Sequence, residues 1–271
     1  MKTKQIKSYF TLFFLLLLSV FSPCFSQSQV IFNKINQTNG LSNDRVSSIV
    51  KEKNGFVWIG TENGLNRFDG NKVKIYNKQN SGLSSNDIAD LLIDKKGRIW
   101  IGTFGGGLNL YHPSSDKFVA YKNILNNNTS IPSNELNTLF EDSKGTIWVG
   151  TKNGISSFNE KEQTFTTYQF DSKNVYSISH SDVRSIYEDG DKNLWIGTFG
   201  GGLNKFNPTT GKFYRIQSSS AISPDYIHSL CGINKNEILI GTSGKGLLTF
   251  DVNSLSFQKK SYGIDKAINI V

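Results

Sequence analysis

The sequence of 271 residues is short of the groups that most chemistry needs. It has two cysteines and three histidines, and beyond residue 26 it has no long apolar run. His112, His180 and His228 are far apart and share no paired spacing, so no metal site is expected. No serine or cysteine stands in a nucleophile motif, so no catalytic residue is expected. Gly241-Thr242-Ser243-Gly244-Lys245-Gly246 lacks the hydroxyl residue after lysine that a phosphate loop requires, and a strand follows it instead of a helix. No cofactor is implied. Basic runs are also missing. The formal charge of +8 falls to +5 without Lys2, Lys4 and Lys7, and the remaining cations are scattered, which argues against nucleic acid as a partner. A 3.6-residue apolar period is absent, so helical repeats are excluded.

The one long apolar stretch, Tyr9 to Phe21, follows those three lysines and precedes small residues. Its 13 residues fall short of the roughly 20 that span a bilayer. Residues 1–26 therefore read as a signal peptide cleaved after Ser26, with an uncleaved anchor or a lipid on Cys24 as alternatives. No later segment spans a membrane, and the expected location is the periplasm. Cleavage leaves Cys231 alone, which rules out an intrachain disulfide. Its place in an apolar strand predicts a buried, inert thiol.

What the sequence has in abundance is repetition. Val57-Trp58-Ile59-Gly60-Thr61 returns around Trp100, Trp148 and Trp195, and again as Ile238-Leu239-Ile240-Gly241-Thr242. The glycines Gly60, Gly102, Gly150, Gly197 and Gly241 are 42, 48, 47 and 44 residues apart. Propeller blades repeat every 40–50 residues or so. Each unit divides into four short strands. The first carries an apolar pair three residues apart (Val46 and Ile49 in the first unit), and its leading residue lies 12 before the tryptophan or Leu239 in all five units. An invariant spacing implies an invariant hairpin turn, which residues such as Asp94, Asp142 and Asp189 would initiate. A Gly-Leu or Gly-Ile step opens the third strand, and an aromatic-led edge forms the fourth. The expected fold is all-β: a β-propeller of four-stranded antiparallel blades at about 40–78, 82–123, 130–170, 177–217 and 221–260. Trp58, Trp100, Trp148 and Trp195 are expected to pack between blades.

Length varies most in the loops joining the fourth strand to the next first strand, and loops on a rigid scaffold are where binding resides. These loops are rich in amides and hydroxyls. The second and fourth units also carry Phe-Gly-Gly-Gly after strand two. Amides beside an aromatic face suit a sugar, so Phe104, Phe199, Asn126, Asn127, Asn128, Tyr176 and His180 are the candidate ligand contacts. The plainer alternative is that the asparagines make solvated turns and the phenylalanines cover the core.

The unit Asn-x-Val-x-x-Ile…Asp-x-x-Gly-x-Ile-Trp-Ile-Gly-Thr-x-x-Gly-Leu-x-x-Phe resembles the two-component regulator propeller repeat. Gly40-Leu41-Ser42-Asn43-Asp44 and Gly82-Leu83-Ser84-Ser85-Asn86-Asp87 extend the likeness upstream, and it covers residues 30–271. The fifth unit departs from the pattern at Leu239. The resemblance implies the periplasmic sensor region of a hybrid two-component histidine kinase, working in a phosphorelay. Such proteins continue into further blades, a second propeller, a membrane helix and a kinase core, and they dimerise. Residues 264–271 match the first strand of a sixth blade, so an open arc of a larger, seven-bladed propeller is expected, as a fragment spanning 27–271. On this reading the chain itself is no enzyme and senses oligosaccharides or another periplasmic ligand. The rival readings are a secreted propeller glycoside hydrolase or polysaccharide lyase, with Glu62, Glu135 and Asp182 as the available carboxylates, and a periplasmic protein-interaction scaffold.

Overall fold

A computed structural model describes residues 34–216 and 224–259, and every regular element described lies between Gln37 and Lys259. The expected signal peptide and the expected sixth-blade strand lie outside the described residues. The fold is all-β, with five four-stranded antiparallel sheets in strict sequence order. The first comprises β1 (Val46–Lys51), β2 (Val57–Thr61), β3 (Gly64–Phe68) and β4 (Val73–Tyr76). The second comprises β5 (Ile88–Ile93), β6 (Ile99–Thr103), β7 (Gly107–His112) and β8 (Lys117–Tyr121). The third is β9 (Leu136–Glu141), β10 (Ile147–Thr151), β11 (Gly154–Asn159) and β12 (Thr164–Tyr168). The fourth is β13 (Val183–Glu188), β14 (Leu194–Thr198), β15 (Gly202–Asn207) and β16 (Lys212–Arg215). The fifth is β17 (Ile227–Asn234), β18 (Glu237–Thr242), β19 (Gly246–Asp251) and β20 (Ser256–Lys259). These are propeller blades.

The invariant spacing within each unit has a direct cause. Asp189 Oδ1 accepts the backbone N–H groups of Asp191 and Asn193, each at 2.9 Å, and this closes the β13–β14 turn. Its Oδ2 accepts the indole N–H of Trp195 at 2.8 Å. Asp94 and Asp142 repeat both roles for Trp100 and Trp148, and Glu52 serves Trp58. One carboxylate thus fixes the turn and satisfies the single polar atom of a buried ring.

The tryptophans do pack between blades. Each meets an aromatic ring on the third strand of the next sheet: Trp58 on Tyr111, Trp100 on Phe158, Trp148 on Phe206 and Trp195 on Phe250, at centroid distances of 4.9, 5.2, 5.3 and 5.0 Å. The repeated glycine lets the next innermost strand approach. A Cβ on Gly60 would lie 2.6 Å from Ile88 Cγ2, and one on Gly197 would lie 2.5 Å from Ile227 Cγ2. Accordingly β1 packs beside β5, β5 beside β9, β9 beside β13 and β13 beside β17. Val46 and Ile49 lie exposed, whereas their counterparts in the second to fourth sheets are buried, because no described sheet packs ahead of β1.

Cys231 corrects an expectation: it is exposed. Its counterparts Val50, Leu92, Phe140 and Tyr187 are partly buried because each packs into the core shared with the following sheet. Among the described residues no sheet follows the fifth, so an apolar strand position faces solvent.

Candidate functional site

The loops after the second strand and the loops entering the first strand meet on one face of the blades. Glu62, Phe104, Lys152, Phe199 and Ser243 directly follow the repeated threonine. Their N–H groups donate to the carbonyls of Arg45, Asp87, Glu135, Asp182 and Tyr226, one residue ahead of each innermost strand, at 2.8–3.4 Å. The register repeats five times, so equivalent side chains are set out in rings. One residue into the strand come Ser47, Ala89, Asn137, Arg184 and His228. Backbone bonds hold the scaffold, while this last position differs in every blade. Just beneath, three blades share one device: Asn66, Asn109 and Asn204 are buried and tie the entering loop to strand three through Ser42, Ser84 and Ser179.

Within the rings, cations and aromatics interlock. Arg184 chelates Asp182 through Nε and Nη2, both at 2.8 Å, and lies 5.1 Å over the Phe199 ring. Asn137 donates to the same carboxylate at 2.9 Å. Lys152 pairs with Glu135 at 2.9 Å and sits 4.5 Å over Phe104. Arg45 pairs with Glu62 at 3.0 Å. Tyr226 and His228 flank Phe199 at 4.9 and 5.3 Å. A cavity of about 360 Å³ opens among Asp87, Ala89, Phe104, Leu136, Asn137, Arg184 and His228, contributed by four successive blades. Burial pushes the Asp87 carboxyl above its usual range, the charge of Glu62 adds to this, and Arg45 opposes it. Deeper in, Asp90 accepts from Ser48 Oγ and from the N–H groups of Leu91 and Leu139, so it bridges three innermost strands. Burial raises its pKa in spite of those donors.

Of the candidate contacts, Phe104 and Phe199 reach this mouth, linked through Arg184, which lines the cavity beside one and covers the other. His180 stands apart with its ring against Gly200, and its Nδ1 accepts from the N–H of Asp182 at 3.2 Å. The others lie at the outer edge. The carbonyls of Thr129 and Tyr176 accept from Phe165 and Phe213, so the long entering loops cap the outermost strands β12 and β16. Asn127 closes a turn by accepting from the N–H of Thr129, and Asn126 adopts a left-handed backbone at φ 61°. Asn126, Asn127 and Asn128 border a second, polar cavity of about 630 Å³ with Asn123, Asn153 and Gln169. Tyr176 lies against Lys212 and Tyr214. Arg184, Asn137, Asp87 and His228 were missed in the sequence. Their signal was there: each occupies a variable position inside an otherwise repeated segment.

A profile described as "Two component regulator propeller" matches residues 40–63, 82–105, 130–153 and 177–200. Four segments of the chain thus match the two component regulator propeller repeat. The matched segments contain Asp87, Asn137 and Arg184, whereas His228 of the fifth blade lies beyond them. A histidine kinase P4 from Formosa agariphila is 43% identical over 49 residues, which is 18% of this chain and 4% of that one. The extracellular domain of a protein assigned as a hybrid two component system in B. thetaiotaomicron superposes with a TM-score of 0.68 at 24% identity, covering 82% of this chain and 31% of that one. A second such domain from the same organism gives 0.53 at 27% identity, over 84% of this chain and 36% of the other. The chain therefore spans about a third of the solved relatives' length. No helix among the described residues is long and apolar enough to cross a membrane.

Proposed function

We propose that this chain is the extracytoplasmic ligand-sensing propeller segment of a hybrid two-component sensor, responding to oligosaccharides in the periplasm without altering them. Residues 1–26 would direct its export. The observation that carries the reading is the ringed mouth, where blade-invariant backbone presents blade-specific aromatic, amide and charged side chains around a cavity. Aromatic faces beside amides and fixed ion pairs suit a molecule that is apolar on its ring faces and polar at its rim. In a longer, dimeric protein, occupancy of the mouth would bias the relative arrangement of the subunits and so the kinase.

Cleavage of the bound glycan is the competing reading, and it calls for two carboxylates acting as acid and base. Glu62, Glu135 and Asp182 are each held by a cation, which leaves Asp87, its pKa raised by burial, as the mouth carboxylate outside an ion pair among the described residues. The deciding experiment incubates the purified chain with a panel of oligosaccharides, follows binding by calorimetry and searches for products by mass spectrometry. Binding with recovery of intact oligosaccharide supports the sensor; new reducing ends or unsaturated products establish the enzyme.

A further inference from the structure

Each cation of the mouth already has an anion. Lys152 is neutralised by Glu135, Arg184 by Asp182 and Arg45 by Glu62, at 2.9, 2.8 and 3.0 Å. Asp87 makes no ion pair among the described residues. Counting histidine as neutral, the rings hold four carboxylates against three cations, a net charge of −1. A carboxylate or sulfate on a ligand would have to displace a carboxylate already seated on its cation, and it would meet Asp87 in a site screened less than open water.

What the pairs leave over is hydrogen-bonding capacity without charge. Arg184 commits Nε and Nη2 to Asp182, while its Nη1 donates to no described residue. Asn137 reaches Asp182 and the Val183 carbonyl through Nδ2, so its amide oxygen is available as an acceptor. Phe104 stays 39% exposed beside the cavity although Lys152 lies over its ring. Ala89 and Leu136 supply an apolar wall. At about 360 Å³ the cavity sits at the small end of ligand sites, which run to roughly 300–1,000 Å³.

We infer that the mouth selects an uncharged saccharide unit, seated against Phe104 and held at its hydroxyls by the Arg184–Asp182 pair and Asn137, and that it rejects uronates and sulfated sugars. This rests on the saccharide reading above and narrows it. Neutral pairs with spare donors and acceptors bind vicinal hydroxyls, and charged substituents are turned away by the carboxylates already in place.

The test is calorimetry on the full chain with neutral cello-, laminari- and xylo-oligosaccharides against oligogalacturonate and sulfated carrageenan oligosaccharides, each at 50 and 500 mM salt. A neutral oligosaccharide should bind with affinity nearly independent of salt, because no charge–charge attraction is available to screen. Arg184→Met and Phe104→Ala should each weaken it about tenfold or more, whereas Tyr214→Ala at the outer edge should leave it unchanged. If Arg184→Met fails to fold, Phe104→Ala and Asn137→Ala carry the test. Preferential, salt-sensitive binding of the acidic oligosaccharides overturns the inference and leaves saccharide sensing standing. Neutral binding lost in Tyr214→Ala and kept in Phe104→Ala overturns the location. Binding of neither class overturns the saccharide reading itself and the inference with it.

Discussion

The bond between each turn carboxylate and its tryptophan is where sequence, turn and inter-blade packing meet. In the fourth blade, Asp189 is almost fully buried and accepts from the Trp195 indole at 2.8 Å as well as from two backbone N–H groups at 2.9 Å. Asp189→Asn keeps an oxygen for the turn but sets an amide NH₂ against the indole N–H, so two donors face one another. Hydrogen bonds to a charged acceptor contribute about 1.5–3 kcal/mol, and leaving a buried donor unmet costs a comparable amount. Asp189→Asn should therefore destabilise by about 2–3 kcal/mol when Trp195 is present. In a Trp195→Phe background there is no indole to satisfy, and the cost should fall by at least about 1 kcal/mol. The fifth blade lacks both partners: Leu239 has no polar atom, and Ile233 stands six residues ahead of it, where the other turns carry a carboxylate. The assay is a double-mutant cycle by urea denaturation at pH 7. It should be repeated at low pH, because Asp189 is held below its ordinary 3.8 by the Trp195 and Asn193 donors, against the opposing effect of burial. A depressed folded pKa gives stability that is present above 3.8 and lost as pH falls through the folded value, so the coupling should shrink in acid. Equal costs in both backgrounds, within about 0.5 kcal/mol, would refute the argument.

Three further outcomes follow from the packing. Gly197→Ala should cost about 1–3 kcal/mol, since the new Cβ would meet Ile227 at 2.5 Å; unchanged denaturation midpoints would show that the blades can separate freely. Asp90→Ser, which restores the hydroxyl that Ser48 and Ser185 present at the same position, should flatten the stability profile as pH rises above 3.8. The raised pKa of Asp90 means that its contribution is full below 3.8 and is lost as pH rises through the folded value, so an unaltered profile in the serine variant would contradict its burial. Cys231 should react with a thiol reagent in the folded protein as fast as a free thiol does, and protection from labelling would place another surface over the fifth blade.

The repeat was legible from spacing alone because strand alternation, turn chemistry and the close approach at Gly60 or Gly197 are local demands that return with every blade. The fate of Trp195 was also legible: a large ring in a repeated strand needs a neighbouring sheet to bury it. The second duty of Asp189 was hidden, because the turn by itself already accounted for an aspartate. For the asparagines of the long loops, chemistry shared by turns and sugar contacts left two readings open. The structure gives Asn126 and Asn127 turn geometry in a loop that caps an outer strand, and it also sets them at the edge of a polar cavity. Cys231 shows the limit of pattern in the other direction. Its strand position is the buried kind, yet burial needs a partner sheet, and that depends on the neighbour rather than on the residue. The mouth was decided only by tertiary structure. Asp87, Asn137, Arg184 and His228 are about 45 residues apart along the chain and converge because four blades present the same register to one face. Period and composition therefore determined the blades, and the stacking of one blade on the next determined which of their variable residues share a site.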